Sequence, residues 1–146
     1  MIAKVNMNVK FFLKDNKFDV DAIGKGVYII ELARRGQDVV IPLYIGESVW
    51  MAVRCAGHLY RVCHNPEYLG LKSEDIENSN FELIIRVLET IEDKGKLLQA
   101  EIKYIDELEP LTQKRNGESG RGKRDSMIII DEKIKRVQDA IRQNFI

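Results

Sequence analysis

The sequence predicts a mixed α+β fold, in which a small central antiparallel three-stranded sheet is flanked by helices. Three segments rich in β-branched and apolar residues are bounded by Gly, Pro or Asn, which is the pattern of strands joined by turns. Other segments repeat apolar residues every three or four positions, which is the pattern of helices with one buried face. The chain has 146 residues, 45% of them hydrophobic, so one domain spanning 1–146 with a single core is expected.

Net charge and the length of the apolar runs argue against a strongly basic nucleic-acid binder and against a membrane-spanning protein. Formal net charge is zero, so any affinity for nucleic acid must come from local basic patches. The longest apolar runs hold four or five residues, as at 127–130, whereas a membrane span needs about 20. The first residues lose their apolar character too early for a signal peptide, and Cys55 and Cys63 are expected to be reduced thiols. A cytoplasmic location follows as the prediction.

Two of the strands are predicted to form an antiparallel hairpin. Residues 1–22 precede it as an N-terminal extension with a weak alternating pattern. The run at 27–32 is the first strand, and a polar loop at 33–38 leads to the second strand at 39–45. Pro42 lies inside the second strand, which indicates an edge or a bulge.

The remaining elements follow from capping and helix-ending residues. Ser48 is predicted to cap the first helix, and Pro110 to end the second long helix. Residues 112–126 are rich in glycine, serine and basic side chains, so they are predicted to form a loop. In chain order we expect a helix over 49–60, a short helix near 73–76, a strand over 81–88, a helix over 96–108 and a C-terminal helix within 127–146.

One acidic residue lies on an otherwise apolar helix face. Leu97 and Ile105 flank Glu101 at four-residue spacing, on the stripe expected to face the core. A carboxylate in a core-facing position costs free energy unless something pairs with it. Glu101 is therefore either a residue at the margin of the stripe that reaches solvent or an arginine, or a metal ligand at the rim of the core.

The first helix carries a second pattern. Arg54 and His58 are four residues apart, so both project from one helix face. Two groups that can both be cationic form a poor structural pair, but they suit a phosphate, because Arg offers a fork of donors and His can transfer a proton. The alternative is a solvated arginine beside a half-buried histidine. A zinc site formed by His58 with Cys55, Cys63 and His64 is a rival interpretation, although its spacing is not that of a familiar zinc finger.

The hairpin carries a third pattern, which consists of two tyrosines. Tyr28 begins the first strand in the motif Gly-Val-Tyr, and Tyr44 ends the second strand in the motif Tyr-Ile-Gly. If the strands pair, the two rings can lie close together, although tyrosines in strands commonly serve packing alone. Gly46 directly precedes the first helix, where backbone geometry can require glycine.

The ordered set of these motifs resembles the GIY-YIG nuclease family. The order is Gly-Val-Tyr, Tyr-Ile-Gly, Arg54, His58, Glu101 and Asn116. Arg54 follows Gly46 by eight residues and His58 follows it by twelve, and the resemblance covers residues 24–118 as a nuclease core. The sequence departs from the family pattern at Val27, which replaces the signature isoleucine, and at Glu47, an acid directly after Tyr-Ile-Gly.

The resemblance implies a GIY-YIG-like fold and a metal-dependent endonuclease that hydrolyses phosphodiester bonds, with DNA as the expected partner. It implies one Mg²⁺ or Mn²⁺ ion held by Glu101. The implied catalytic residues are Tyr28, Tyr44, Arg54, His58 and Glu101. The expected substrate contacts are Asn116, Lys114, Arg115 and His64.

A module that shares the fold but has little or no activity, and that binds nucleic acid or protein, is the alternative function. The two hypotheses differ in what Glu101→Ala would do, because only an enzyme would lose an activity while keeping its fold. The sequence predicts no membrane partner and fixes no oligomeric state.

Overall fold

The computed structural model describes residues 4–114 and 128–145. Six strands and four α-helices lie within these ranges. The strands are β1 (Asn8–Phe11), β2 (Leu13–Lys14), β3 (Lys17–Phe18), β4 (Gly26–Arg34), β5 (Val40–Ser48) and β6 (Phe81–Thr90). The α-helices are α1 (Met51–His64), α2 (Ser73–Ile76), α3 (Leu97–Leu108) and α4 (Ile130–Asn144). Short 3-10 helices are found at Val20–Ile23, Pro66–Leu69 and Lys94–Lys96.

The main sheet has four strands in the order β1-β6-β4-β5. The three predicted strands β4, β5 and β6 form its antiparallel part, and β1 adds a parallel strand beside β6. The mixed α+β class is therefore confirmed, but the predicted three-stranded antiparallel sheet is wrong in strand number and in the direction of the added strand. Residues 8–11, within the segment predicted as an extension, supply that strand. They pair with residues 74 positions away, which no local pattern reveals.

Strand β4 lies at the centre of the molecule, with eight of its nine residues buried. Tyr28 and Ile30 belong to a core that includes Met51 of α1. Ile29 points to the other face and packs with Ile105 of α3. Alternation along one strand therefore fills two cores, and it brings residues of α1 and α3 near the same end of the hairpin.

Helix α1 packs one apolar face against the sheet. Its buried residues are Met51, Cys55, His58 and Val62. The helix begins after Trp50 rather than directly after Ser48, because Ser48 Oγ accepts a hydrogen bond from the Trp50 N–H at 3.0 Å within the preceding turn. Among the described residues, no helix is long and apolar enough to cross a bilayer.

The segment that follows α3 lies along the outer edge of β5. The Thr112 N–H and hydroxyl both donate to the carbonyl of Leu43, at 3.2 and 2.6 Å. The Gln113 side chain accepts from the Ile45 N–H and donates to the Ile45 carbonyl, both at 2.8 Å. These bonds satisfy backbone groups of an edge strand and hold the segment next to Tyr44.

Candidate active site

Tyr28 lies at the bottom of the candidate site and is 0% exposed. Its partner across the β4–β5 ladder is Gly46, so the two halves of the sequence motif face each other directly. A Cβ at Gly46 would lie 2.3 Å from the Tyr28 hydroxyl oxygen, which is too close for any two such atoms. Glycine is needed here because the phenol occupies the space that a side chain would fill.

His58 lies between two tyrosine hydroxyls. Its Nε2 is 2.7 Å from the Tyr28 hydroxyl and its Nδ1 is 3.0 Å from the Tyr68 hydroxyl. Burial lowers the pKa of His58 to about 4, with help from the positive charges of Arg54 and Arg61. The imidazole is therefore neutral near pH 7, and it can donate through one nitrogen while it accepts through the other.

This arrangement forms a hydrogen-bonded chain from Tyr28 through His58 to Tyr68. A neutral ring carries a single N–H, so one tyrosine must donate to the ring and the other must accept from it. If Tyr68 accepts from Nδ1–H, Nε2 is left as the acceptor for the Tyr28 hydroxyl. Burial raises the pKa of Tyr28, and Tyr44 adds to this effect, so Tyr28 holds its proton in the free protein.

Tyr44 is less buried than Tyr28 and packs against the same histidine. Its ring centroid lies 4.9 Å from that of His58 and 6.3 Å from that of Tyr28, and the strand pairing had been expected to allow the two tyrosine rings to lie close together. Burial raises the pKa of Tyr44, with Tyr68 and Glu101 raising it further and Arg54 lowering it. Tyr44 therefore lies within electrostatic reach of both Arg54 and Glu101.

Arg54 is exposed on α1, one turn before His58. Against the dominant effect of burial, its charge lowers the pKa of both Tyr28 and Tyr44. Among the described residues no carboxylate forms an ion pair with Arg54. An exposed guanidinium beside a buried tyrosine–histidine cluster is well placed to bind an anion.

Glu101 is 3% exposed and lies between Leu97 and Ile105 on the buried face of α3. The sequence left open whether Glu101 reaches solvent or an arginine at the margin of the stripe, or serves as a metal ligand, and its burial excludes only the reach to solvent. Glu101 raises the pKa of Tyr44, so it lies within electrostatic reach of that tyrosine, although α3 packs on the face of the sheet opposite Tyr28. Glu47, the acid after the Tyr-Ile-Gly motif, is also buried, at 8% exposure.

A single buried carboxylate fits one type of metal site. Mg²⁺ and Mn²⁺ sites commonly use one or two carboxylates and complete the coordination with water and substrate oxygens, so Glu101 suits such an ion. Residues 4–114 and 128–145 contain no group of three or more His, Cys, Asp or Glu side chains that could hold a metal ion, so any ion at Glu101 would take its other ligands from elsewhere. The rival zinc interpretation gains no support, because both nitrogens of His58 face tyrosine hydroxyls and Cys55 is buried beside them.

The predicted substrate contacts lie in different places. His64 is exposed at the end of α1, where its Nδ1 is 2.8 Å from the Tyr60 carbonyl oxygen. Lys114 is exposed directly after the segment that lines β5. Arg115 and Asn116 fall outside the described residues.

Tyr68 and Arg61 belong to the cluster, although the sequence did not single them out. The Arg61 guanidinium carbon lies 4.0 Å from the centroid of the Tyr68 ring, a cation–π contact. The Lys133 Nζ, from α4, lies 5.2 Å from the same centroid and donates to the Tyr68 carbonyl at 3.1 Å. Tyr68 lies in the segment 65–80, which has no periodic pattern. The one signal available in the sequence was that Tyr68 is an aromatic residue ten positions after His58.

The buried histidine predicts acid-sensitive stability. In the unfolded chain His58 has its ordinary pKa of 6.5, so between about pH 6.5 and 4 the unfolded state binds a proton that the folded state does not. Stability should therefore fall with decreasing pH in this window, by up to about 3 kcal/mol. Urea unfolding of the wild type and of His58→Gln at several pH values measures the difference.

His64→Gln is the control for this prediction, because His64 is exposed on the same helix. We expect it to keep the pH dependence of the wild type, while His58→Gln flattens it. If His58→Gln does not fold, the ring resonances of His58 in the wild type give the same information by NMR. A His58 that titrates near pH 6.5 in the folded protein would contradict the prediction.

The hairpin and α1 bring Tyr28, Tyr44 and His58 into contact, with Arg54 one turn before His58, and Glu101 of α3 lies within electrostatic reach of Tyr44. The buried part of the site holds protonated tyrosines and a neutral histidine, and its rim holds a cation. No family model, no curated protein and no solved structure matches this chain.

Proposed function

We propose that this protein is a divalent-metal-dependent endonuclease of the GIY-YIG type that hydrolyses phosphodiester bonds in DNA. The observation that carries the proposal is the 2.7 Å hydrogen bond between the Tyr28 hydroxyl and His58 Nε2, with the Tyr44 ring packed on His58 and the exposed Arg54 one turn away on α1. A cation, a carboxylate and a tyrosine–histidine pair are the groups needed to bind a phosphate, hold a metal and move a proton.

In this proposal Arg54 binds the scissile phosphate and offsets the charge that develops on it. Tyr44 is the half-buried tyrosine and orients the attacking water. The water passes a proton to the Tyr28 oxygen while the Tyr28 proton moves to Nε2 of His58. Tyr28 therefore stays neutral, and His58 ends the step with the proton that the water has lost. The bound phosphate offsets the charge of Arg54, which removes one of the effects that lower the proton affinity of His58.

Glu101 is the residue that would hold Mg²⁺ or Mn²⁺. When bound, such an ion supplies charge stabilisation to the phosphate and to the leaving oxygen. Glu101 suits this role because a buried carboxylate in a rigid helix has little freedom to turn away from the site.

The test is a cleavage assay with the purified protein on duplex, nicked, flapped and branched DNA, with Mg²⁺ or Mn²⁺ and with EDTA as the blank. We expect strand cleavage that requires the ion and leaves a new end at the scissile bond. Absence of cleavage on every substrate with either ion would refute the proposal.

Tyr28→Phe should slow cleavage by about 100- to 1,000-fold, because it removes the hydroxyl that bonds to His58 while keeping the ring. The measurement is the single-turnover rate, with the melting temperature as a check on folding. Tyr104→Phe is the matched control, since Tyr104 also donates to a side chain, Glu89, but lies outside the cluster. An unchanged rate in Tyr28→Phe would remove Tyr28 from the proton path.

One observation favours the second candidate, a fold-sharing binding module without activity. The Tyr28 side chain is 0% exposed, so water cannot reach its hydroxyl without a rearrangement on substrate binding. If the assay above shows no cleavage but a labelled DNA binds, and Arg54→Ala weakens that binding, the module is the better description.

A further inference from the structure

An exposed apolar groove lies beside Arg54, on the outer side of the N-terminal end of α1. It has a volume of about 360 Å³ and is lined by Ser48, Val49, Trp50, Val53, Arg54 and Gly57. The side chain of Trp50 is 62% exposed and that of Val53 is 64% exposed. Apolar surface of this kind, next to a candidate active site, points to a ligand.

On one side of the groove the backbone of Trp50 is held by hydrogen bonds, and at Gly57 the groove is open. The Trp50 N–H donates to Ser48 Oγ at 3.0 Å, and the Trp50 carbonyl accepts from the Arg54 N–H at 3.1 Å, so the backbone that carries the indole is held on both sides. Gly57 has no side chain, and even an added Cβ would meet no heavy atom within 4 Å. The groove is therefore open at Gly57.

The charge pattern selects the kind of occupant. Arg54 is the one charged residue among those that line the groove. Trp50 and Arg54 both line the groove, so the indole and the guanidinium border the same opening. An apolar protein surface seated here would bury an arginine without an anion, which is costly. An anionic chain that also carries flat apolar rings satisfies both groups at once.

We propose that this groove binds an unpaired nucleobase of the substrate, stacked on Trp50, next to the phosphate that Arg54 holds. This inference rests on the proposed nuclease function and narrows it to a substrate class, namely DNA with an unpaired nucleotide beside the scissile bond, as in a flap, a gap or a bulge. In a paired duplex both faces of each base are already stacked, so a paired base can enter the groove only after it has been unstacked and unpaired, which disfavours it against a base that is already free.

Trp50 is the sole tryptophan of the chain, so its fluorescence reports the groove directly. With EDTA present to prevent cleavage, titration with a flapped DNA should quench the emission. A fully paired duplex of the same sequence should leave it nearly unchanged. Equal quenching by both DNAs, or quenching by neither, would overturn the proposal.

Trp50→Ala gives the functional arm of the test. Loss of one stacking contact should weaken binding of the flapped DNA by about 5- to 150-fold and leave duplex binding unchanged, as measured by fluorescence anisotropy. Trp50→Phe should restore most of the loss. Leu13→Ala, which truncates an apolar side chain 51% exposed on β2, is the control.

The outcomes separate this inference from the proposed function. Selective quenching without cleavage would refute the nuclease and keep the groove. Cleavage without selective quenching would do the reverse. A concentration-dependent dimer that dissociates in Trp50→Ala would assign the groove to a second copy of the chain, and the proposal would be wrong.

Discussion

Glu101→Gln is expected to reduce DNA cleavage by about a thousandfold or more while the protein stays folded. Gln keeps the shape of the side chain but removes the negative charge that would hold the metal ion. Loss of several kcal/mol of stabilisation at the phosphate accounts for this reduction, because each 1.36 kcal/mol changes a rate about tenfold. The measurement is the single-turnover rate at saturating Mg²⁺, with far-UV circular dichroism as the check on folding.

Glu107→Gln is the matched control for this change. Glu107 lies on the same helix, but it is exposed rather than buried. Both variants lose one negative charge from α3, so a general electrostatic effect on DNA binding would appear in both. Cleavage by Glu101→Gln at the wild-type rate would end the metal-site interpretation.

Gly46→Ala is expected to damage stability and activity together. The new Cβ would lie 2.3 Å from the hydroxyl oxygen and 2.6 Å from the Cζ of Tyr28, so the phenol must move away from His58. Overpacking of this kind costs about 1–3 kcal/mol in the free energy of unfolding. A displacement of about 1 Å at a reacting group can slow the reaction about 100-fold. Urea unfolding and the single-turnover rate measure the two effects.

Gly57→Ala supplies the opposite expectation in the same part of the chain. Gly57 lies within α1, where an added Cβ meets open space. Alanine is favoured over glycine inside helices, so this variant should be more stable by about 0.5–1 kcal/mol. If Gly46→Ala behaves like Gly57→Ala, the close approach of Tyr28 to strand β5 is not as described here.

The strands and helices with a local pattern were predictable from the sequence. Runs of β-branched residues predicted β4, β5 and β6, and the apolar spacing of Leu97 and Ile105 predicted the face of α3 on which Glu101 is buried. Strand β1 was not predictable as part of the sheet, because its partner lies 74 positions away and its own pattern is weak. The start of α1 was placed two residues early, since Ser48 bonds to Trp50 in the turn before the helix.

Some residues of the candidate site could be expected from the sequence, and others could not. Tyr28, Tyr44, Arg54 and His58 were expected as site residues because the ordered set of motifs resembles the GIY-YIG family. Tyr68 was not, because its place beside His58 depends on the path of a 3-10 helix that leaves no periodic trace. The burial that holds His58 neutral is also a property of the assembled core, and single residues do not report it.

The two hydrogen bonds from the Gln113 side chain to Ile45 have a further consequence for how the molecule meets its neighbours. A strand at the border of a sheet is a ready template on which a foreign chain can add another strand, and such addition leads to aggregates. Here the Gln113 side chain makes the hydrogen bonds that a neighbouring strand would otherwise make with Ile45. The edge of β5 is therefore blocked beside Tyr44. Gln113→Ala would leave this edge of β5 open to pairing with a strand of another chain, next to the tyrosine of the candidate site.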